Sequence, residues 1–153
     1  MKCGELVDDF ELVDQHGAAV KLSGELANGP VVIFFFPRAF TRGCTQESCH
    51  FRDLSAEFAA LGSRCLGIST DPVERQARFA TSNSFDFPLL SDPDRSVAKA
   101  FGVARVRPLF NRRSTFVIGT DHRALAVIHD EMNMNKHADE ALRVLRGLSD
   151  GQR

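Results

Sequence analysis

Two cysteines five positions apart are the residues of this 153-residue chain best suited to covalent chemistry. Cys44 and Cys49 follow an apolar stretch, residues 31–36, that indicates a buried strand, and they lie at the start of an amphipathic segment that indicates a helix. A thiol at such a junction faces the unpaired backbone N–H groups and the positive end of the helix dipole. These surroundings stabilise a thiolate, the nucleophilic form of cysteine. The pair therefore indicates catalysis, redox sensing or metal binding.

The spacing of the two cysteines limits how they can react with each other. Within a regular helix, five residues rise about 7.5 Å and turn the second side chain about 140° away from the first. A disulfide requires Cα atoms within about 7 Å and converging Cβ atoms. A disulfide between Cys44 and Cys49 would therefore require the first turns of the helix to unwind.

Neighbouring polar residues are candidates for stabilising a thiolate. Thr41 lies one turn before Cys44 and is expected to cap the helix, to donate its hydroxyl, or both. Glu47 is expected to be a surface or first-turn acid that the helix dipole favours, or a hydrogen-bond partner of the site. A guanidinium must come from elsewhere in the fold, and the sequence offers Arg42, Arg112 and Arg113.

The remaining pattern predicts a single α/β domain over residues 1–153. A β-hairpin is expected at 9–22, followed by strands at 31–36, 65–69, 114–118 and 124–128. Helices are expected at 43–61 and 136–148, with two more that begin at Asp71 and Asp92, each an aspartate cap before a proline. The β-α-β unit implies a parallel strand pair, and the hairpins add antiparallel strands. We expect a mixed sheet flanked by helices, a thioredoxin-like fold with an N-terminal β-hairpin.

The composition argues against several function classes. The net charge is −1, so no global field favours nucleic acid or an anionic membrane surface. No apolar run approaches the roughly 20 residues that span a bilayer. The first residues run into acidic positions without the apolar core of a signal peptide, so the cytoplasm is the expected location.

Three motifs carry a resemblance to a known family. Pro37, Thr41 and Cys44 match the pattern Pro-x-x-x-Thr-x-x-Cys, and residues 43–53 match Gly-Cys-Thr-x-Glu-x-Cys-x-Phe-Arg-Asp in full. Residues 113–116 match Arg-Ser-Thr-Phe before an apolar strand. The chain thus resembles the Q subfamily of the peroxiredoxins, also called the bacterioferritin comigratory protein type, from about residue 4 to about residue 148.

The resemblance assigns roles to residues of these three motifs. It implies that Cys44 is the peroxidatic cysteine and that Cys49 is the resolving cysteine of the same chain. Thr41 and Arg113 would position the peroxide and stabilise the thiolate and the transition state. Pro37 and Gly43 would belong to the substrate pocket. Pro37 would shield the site from water.

The resemblance also implies the partners of the reaction. The substrate would be hydrogen peroxide or an organic hydroperoxide, and thioredoxin or a similar dithiol would be the reductant. The protein would be a monomer, with no metal, haem, flavin or other cofactor. The segment before Arg113 carries Arg105, Arg107 and Pro108 where many relatives have a longer, aromatic-containing loop.

Two other functions remain open from the residues alone. The protein could be a redox-sensing binding protein that a Cys44–Cys49 disulfide switches, or a zinc-binding module. Cys44, Cys49 and His50 lack the usual ligand spacing for zinc. Cys3 is expected to be an inert exposed thiol, and Cys65 to be plain core. A basic cluster is expected to be a solvated loop: Arg105, Arg107, Arg112 and Arg113.

Overall fold

The computed structural model of the chain describes residues 1–105 and 111–151. Within them the strands are β1 (Glu11–Val13), β2 (Ala19–Lys21), β3 (Val31–Phe35), β4 (Arg64–Ser69), β5 (Leu89–Ser91), β6 (Ser114–Ile118) and β7 (Ala124–His129). The helices are α1 (Leu22–Leu26), α2 (Arg42–Asp53), α3 (Ser55–Ala60), α4 (Val73–Asn83), α5 (Ser96–Ala100) and α6 (Met134–Gly151). The strands form one mixed sheet in the order β2-β1-β5-β4-β3-β6-β7. The predicted thioredoxin-like sheet is confirmed.

Strand β3 is the centre of the core. It pairs in parallel with β4 and antiparallel with β6, and all five of its residues are buried. Because side chains alternate along a strand, Ile33 and Phe35 pack on one face with α1 and α5, while Val32 and Phe34 pack on the other face with α2, α3, α4 and α6. The chain leaves the end of β3 and enters α2, so the residues at this junction lie beyond the carboxyl end of this central strand.

The helix predicted over 43–61 is two helices. Helix α2 ends at Asp53 and α3 begins at Ser55, with Leu54 at φ −98° and ψ 8°. The backbone hydrogen bonds on either side of Leu54 persist, so the apolar spacing continues across the break. Phe51 stacks on Phe34 with 4.1 Å between ring centroids, and Phe58 packs next to Phe51. Periodicity predicted the buried face and could not detect a change in one residue's backbone angles.

Two short elements, α1 and β5, were not predicted from the sequence. Strand β5 has three residues and is fixed by its neighbours, because it pairs in parallel with β4 and antiparallel with β1. Helix α1 has five residues and buries Leu22 and Leu26. Elements this short carry too few residues for a hydrophobic period to be detected.

Asp71 does not cap the helix that follows it, contrary to the prediction. Helix α4 begins at Val73 after Pro72, and the buried Asp71 carboxylate accepts the backbone N–H of Ala39 at 2.7 Å. The same carboxylate pairs with Arg75 at 2.9 Å. Asp71 therefore ties the loop before α2 to the end of β4. Asp92 does accept backbone N–H groups of α5, but the helix begins at Ser96 after Arg95, whereas the Asp-Pro pair predicted a start directly after Asp92.

The C-terminal part of the fold agrees with the prediction. Strands β6 and β7 form an antiparallel hairpin, and α6 packs its apolar face against the sheet through Ala138, Ala141, Leu142 and Leu145. Among residues 1–105 and 111–151, no helix is both long enough and apolar enough to cross a lipid bilayer.

Candidate active site

Cys44 lies in the first turn of α2 and is fully buried. The backbone N–H groups of a first helical turn have no partner within the helix, and they give that end a partial positive charge. The Sγ atom of Cys44 accepts a hydrogen bond from Nη2 of Arg113 at 3.4 Å. All four cysteines are free thiols, so the structure represents the reduced protein.

Sheet pairing explains how Arg113 reaches Cys44 across 69 positions of sequence. Strands β3 and β6 are antiparallel, and Phe35 at the end of β3 lies opposite Ser114 at the start of β6. Arg113 comes directly before Ser114, and Cys44 follows shortly after β3. Arg42 and Arg112, the other two candidates, are exposed. The structure thus brings Arg113 to the thiol, and it is buried rather than part of a solvated basic loop.

Glu47 is fully buried, which corrects its expected place at the surface. Its Oε1 atom accepts a hydrogen bond from Nη1 of Arg113 at 3.2 Å. Burial raises the pKa of the Glu47 carboxyl to about 8, although the Arg113 charge acts in the opposite direction. One guanidinium therefore bridges the thiol and a carboxyl group whose charge changes near neutral pH.

His137 completes the buried polar cluster and was missed by sequence reasoning. It lies in α6 and is fully buried, with Nδ1 2.8 Å from the hydroxyl of Thr115 and Nε2 2.8 Å from the carbonyl oxygen of Asp130. Nε2 is also 3.4 Å from Oε2 of Glu47. The helical period offered a signal, since His137 lies four positions before the inward-facing Ala141.

The other predicted site residues lie in the first turn of α2 or in the segment before it. Thr41 is exposed and directly precedes α2, but its hydroxyl makes no capping bond and donates instead to the carbonyl oxygen of Arg38 at 2.9 Å. Pro37 is half-buried between β3 and α2. Gly43 leaves room for the guanidinium, because a Cβ at this position would lie 3.2 Å from Nη2 of Arg113.

Cys49 lies on the same regular helix as Cys44 but contacts α4. It is partly buried, and its Sγ lies 3.6 Å from Oδ1 of Asn83, to which the thiol donates. Burial raises the pKa of the Cys49 thiol. Since five helical residues separate the two cysteines, the folded α2 keeps their side chains apart. A disulfide between them would require α2 to unwind locally.

The remaining candidates lie away from the cluster. Cys3 is exposed, and Cys65 is buried in β4, where burial raises the pKa of its thiol. His50 is 2.7 Å from a carboxylate oxygen of Asp139, and no group of metal-ligand side chains occurs within the described ranges. Of the basic cluster, Arg105 pairs with Glu131, whereas Arg107 and Pro108 lie outside the described residues.

The fold and the site together define a thiol peroxidase: a thioredoxin-like sheet that presents a buried cysteine at a helix start beside an arginine. Residues 3–126 match the AhpC/TSA family, and the chain belongs to this family of peroxiredoxins. A curated Mycobacterium tuberculosis protein named as a peroxiredoxin is 52% identical over 156 residues, covering 99% of this chain and 100% of the relative.

Two solved structures extend the comparison. The crystal structure of peroxidoxin BcpB from Mycobacterium tuberculosis matches with a TM-score of 0.94 and 52% identity, over 97% of this chain and 98% of that chain. The bacterioferritin comigratory protein of Xanthomonas campestris matches with a TM-score of 0.85 and 29% identity, over 92% of each chain. These relatives confirm the predicted subfamily resemblance and thiol-dependent peroxidase activity.

Proposed function

We propose that this peroxiredoxin reduces hydrogen peroxide and organic hydroperoxides through Cys44, forms a disulfide with Cys49 and is recycled by thioredoxin or a similar dithiol. The single observation that carries the proposal is the 3.4 Å contact between Nη2 of Arg113 and Sγ of Cys44 at the start of α2. A guanidinium and a helix start both stabilise a thiolate and the negative charge that develops in its reaction. The Xanthomonas campestris relative was solved in a study of alkyl peroxide reduction, which supports the organic substrate class.

In the first step the Cys44 thiolate attacks one oxygen of the hydroperoxide. The sulfur–oxygen bond forms as the O–O bond breaks, and the alkoxide or hydroxide leaves and takes up a proton. Cys44 becomes a sulfenic acid. We assign Arg113 to the developing charge on the peroxide oxygens. The Thr41 hydroxyl donates to Arg38, so its lone pairs remain able to accept the peroxide O–H.

In the second step Cys49 resolves the sulfenic acid. Helix α2 unwinds, the Cys49 thiolate attacks the Cys44 sulfur, and the S–S bond forms as hydroxide leaves and is protonated to water. An external dithiol then reduces the disulfide by thiol–disulfide exchange. The cycle needs such a donor, which places the protein in a reducing compartment such as the cytoplasm. We propose that the protein completes this cycle as a monomer. Light scattering of the purified protein measures its oligomeric state.

The test is the mass of the protein before and after one equivalent of hydrogen peroxide, with peptide mapping after thiol blocking. We expect the loss of two hydrogens and a linked pair of peptides that contain Cys44 and Cys49. Cys44→Ser removes the reaction, whereas Cys49→Ser reduces one equivalent of peroxide and then stops. Cys65→Ser is the matched control and retains the full cycle with thioredoxin, thioredoxin reductase and NADPH.

Two outcomes would contradict parts of the proposal. Full thioredoxin-coupled turnover in Cys49→Ser would show that Cys49 is not the resolving cysteine. A second-order peroxide rate no faster than that of a free thiol, together with a stable disulfide, would support the redox-sensing alternative. Comparing hydrogen peroxide with an alkyl hydroperoxide then identifies the preferred substrate.

A further inference from the structure

The peroxide cycle uses Arg113 but leaves its buried neighbours without a role. His137 is fully buried, and both of its ring nitrogens lie within hydrogen-bonding distance of polar atoms. Buried polar side chains that form a connected network hold one another in fixed orientations. His137 therefore belongs to the set of groups that determine where the atoms next to it can lie.

The partners of His137 fix which nitrogen carries its hydrogen. A carbonyl oxygen only accepts, so Nε2, which lies 2.8 Å from the Asp130 oxygen, carries the hydrogen. Nδ1 then accepts from the Thr115 hydroxyl at 2.8 Å. Burial lowers the pKa of His137, in agreement with a neutral ring that holds a single hydrogen at neutral pH.

The same edge of the His137 ring lies next to the oxygen of Glu47 that Arg113 does not contact. Oε1 of Glu47 accepts from Arg113, whereas Oε2 is buried and makes no hydrogen bond within the described part of the chain. Nε2 of His137 approaches Oε2 to 3.4 Å while it donates to the Asp130 oxygen. The Glu47 carboxyl group thus lies between the Arg113 guanidinium, which donates to it, and the His137 ring, which limits where its second oxygen can lie.

We propose that His137 is a positioning residue for the peroxidatic cysteine: its fixed ring confines the Glu47 carboxyl group, which orients the Arg113 guanidinium against the Cys44 sulfur. The inference rests on the peroxidase function proposed above. His137 touches neither the thiol nor the place of the peroxide, so it acts only through Glu47 and Arg113.

The charges around the Glu47–His137 pair come from two other segments of the chain. Arg113 precedes β6, and Asp130 and Glu131 lie between β7 and α6. Arg113 and Glu131 influence both groups electrostatically, and Asp130 influences His137. Because one guanidinium contacts both Glu47 and Cys44, any displacement of the carboxylate is passed to the thiol contact. A misplacement of about 1 Å in a reacting constellation costs about 100-fold in rate.

The experiment measures the second-order rate of Cys44 oxidation by hydrogen peroxide in a single turnover, from about pH 5 to about pH 9. The plateau at high pH is compared, because a difference that persists on the plateau reflects alignment rather than a shift of the pH profile. We expect His137→Leu to lower the plateau about tenfold to 100-fold. His137→Gln, whose amide N–H can donate to the Asp130 oxygen in place of Nε2 and keeps a polar group next to Glu47, returns it to within about threefold of the wild type.

His129 is the matched control, because it contacts Ser114, the residue directly before Thr115. His129 contacts the hydroxyl of Ser114 through Nδ1 at 2.6 Å, just as His137 contacts Thr115, but it is exposed and its polar contacts do not include Glu47. We expect His129→Leu to keep the plateau of the wild type. An equal fall in the control, or no fall in His137→Leu, overturns the proposal. An equal fall in Leu and Gln variants also overturns it, because the donor would then be irrelevant.

A second variant covers the case in which His137→Leu does not fold. Thr115→Val removes the hydroxyl that holds Nδ1 and keeps a similar side-chain shape. We expect the plateau to fall about threefold or more, with cooperative thermal unfolding retained. An unchanged plateau overturns the proposal. Failure of the peroxidase function itself is a separate result, since the wild type would then show no fast Cys44 oxidation.

Discussion

The thiol of Cys49 in α2 donates to the side-chain oxygen of Asn83 in α4 at 3.6 Å. This contact directs the Cys49 side chain toward α4 and away from Cys44. The backbone carbonyl of Asn83 also accepts from Arg52 of α2 at 2.7 Å. Asn83 is therefore a contact point between the C-terminal half of α2 and α4. Its side chain would oppose the local unwinding that the proposed disulfide requires.

Replacement of Asn83 should speed formation of the disulfide. Asn83→Ala removes the acceptor for the Cys49 thiol and keeps the backbone contact to Arg52. A net hydrogen bond contributes about 0.5–1.5 kcal/mol, so we expect the resolution step to be about twofold to tenfold faster. Stopped-flow measurement of disulfide formation after a peroxide pulse checks this. The neighbouring exposed Ser82→Ala is the control, and equal rates in all three proteins would contradict the predicted role of Asn83.

Replacement of Arg113 should slow the peroxide step. Arg113 contacts the thiol with Nη2 and Glu47 with Nη1, a fork that lysine cannot reproduce. We expect Arg113→Lys and Arg113→Gln to lower the second-order rate with hydrogen peroxide by about 100-fold to 1,000-fold. The exposed neighbour provides the control, because Arg112→Gln should retain the wild-type rate. A loss of less than tenfold in Arg113→Gln would argue against its assigned role.

An alanine at Gly43 should separate stability from activity. A Cβ there would lie 3.2 Å from Nη2 of Arg113 and 3.4 Å from the Met134 thioether. We expect the displaced guanidinium to lower the peroxide rate about tenfold or more. Because a Gly-to-Ala change inside a helix gains up to about 1 kcal/mol of stability, we expect the free energy of unfolding to change by no more than about this amount. Gly147→Ala in α6 meets no atom within 4 Å and should stabilise without any change in rate.

The buried carboxyl of Glu47 predicts a pH dependence of stability. The pKa of this group rises from 4.5 to about 8 through burial. Between these pH values the folded state binds more protons than the unfolded state, so its contribution to the free energy of unfolding falls as pH rises and is constant above about 8. Glu47→Gln should therefore gain stability relative to the wild type as pH increases through this range.

Urea denaturation at about pH 5 and about pH 9 measures this difference, which we expect to be a few kcal/mol in size. Glu57→Gln, on the exposed face of α3, is the control and should follow the wild type at both pH values. A stability difference between Glu47→Gln and the wild type that stays constant with pH would contradict the assigned burial effect.

Much of the fold was predictable because its longer elements carry strong local patterns. The continuous apolar run of β3 predicted a buried strand, and the helical spacing of apolar residues in α6 predicted its buried face. The division of α2 from α3 at Leu54 was not predictable, since it changes one pair of backbone angles and leaves the apolar period intact. Asp71 looked like a helix cap because it directly precedes a proline. Its actual contact with Ala39 spans 32 positions and leaves no local signature.

The sequence by itself predicted the reactive cysteine, its place at a helix start and the need for α2 to unwind before a Cys44–Cys49 disulfide can form, because these follow from local spacing and helix geometry. Only the tertiary structure selected Arg113 from three arginines, because the pairing of β3 with β6 decides which one reaches Cys44. Only the tertiary structure buried Glu47 against His137, since these residues lie on helices α2 and α6 that meet through packing. Contacts between distant segments depend on how the elements pack, and no local pattern encodes them.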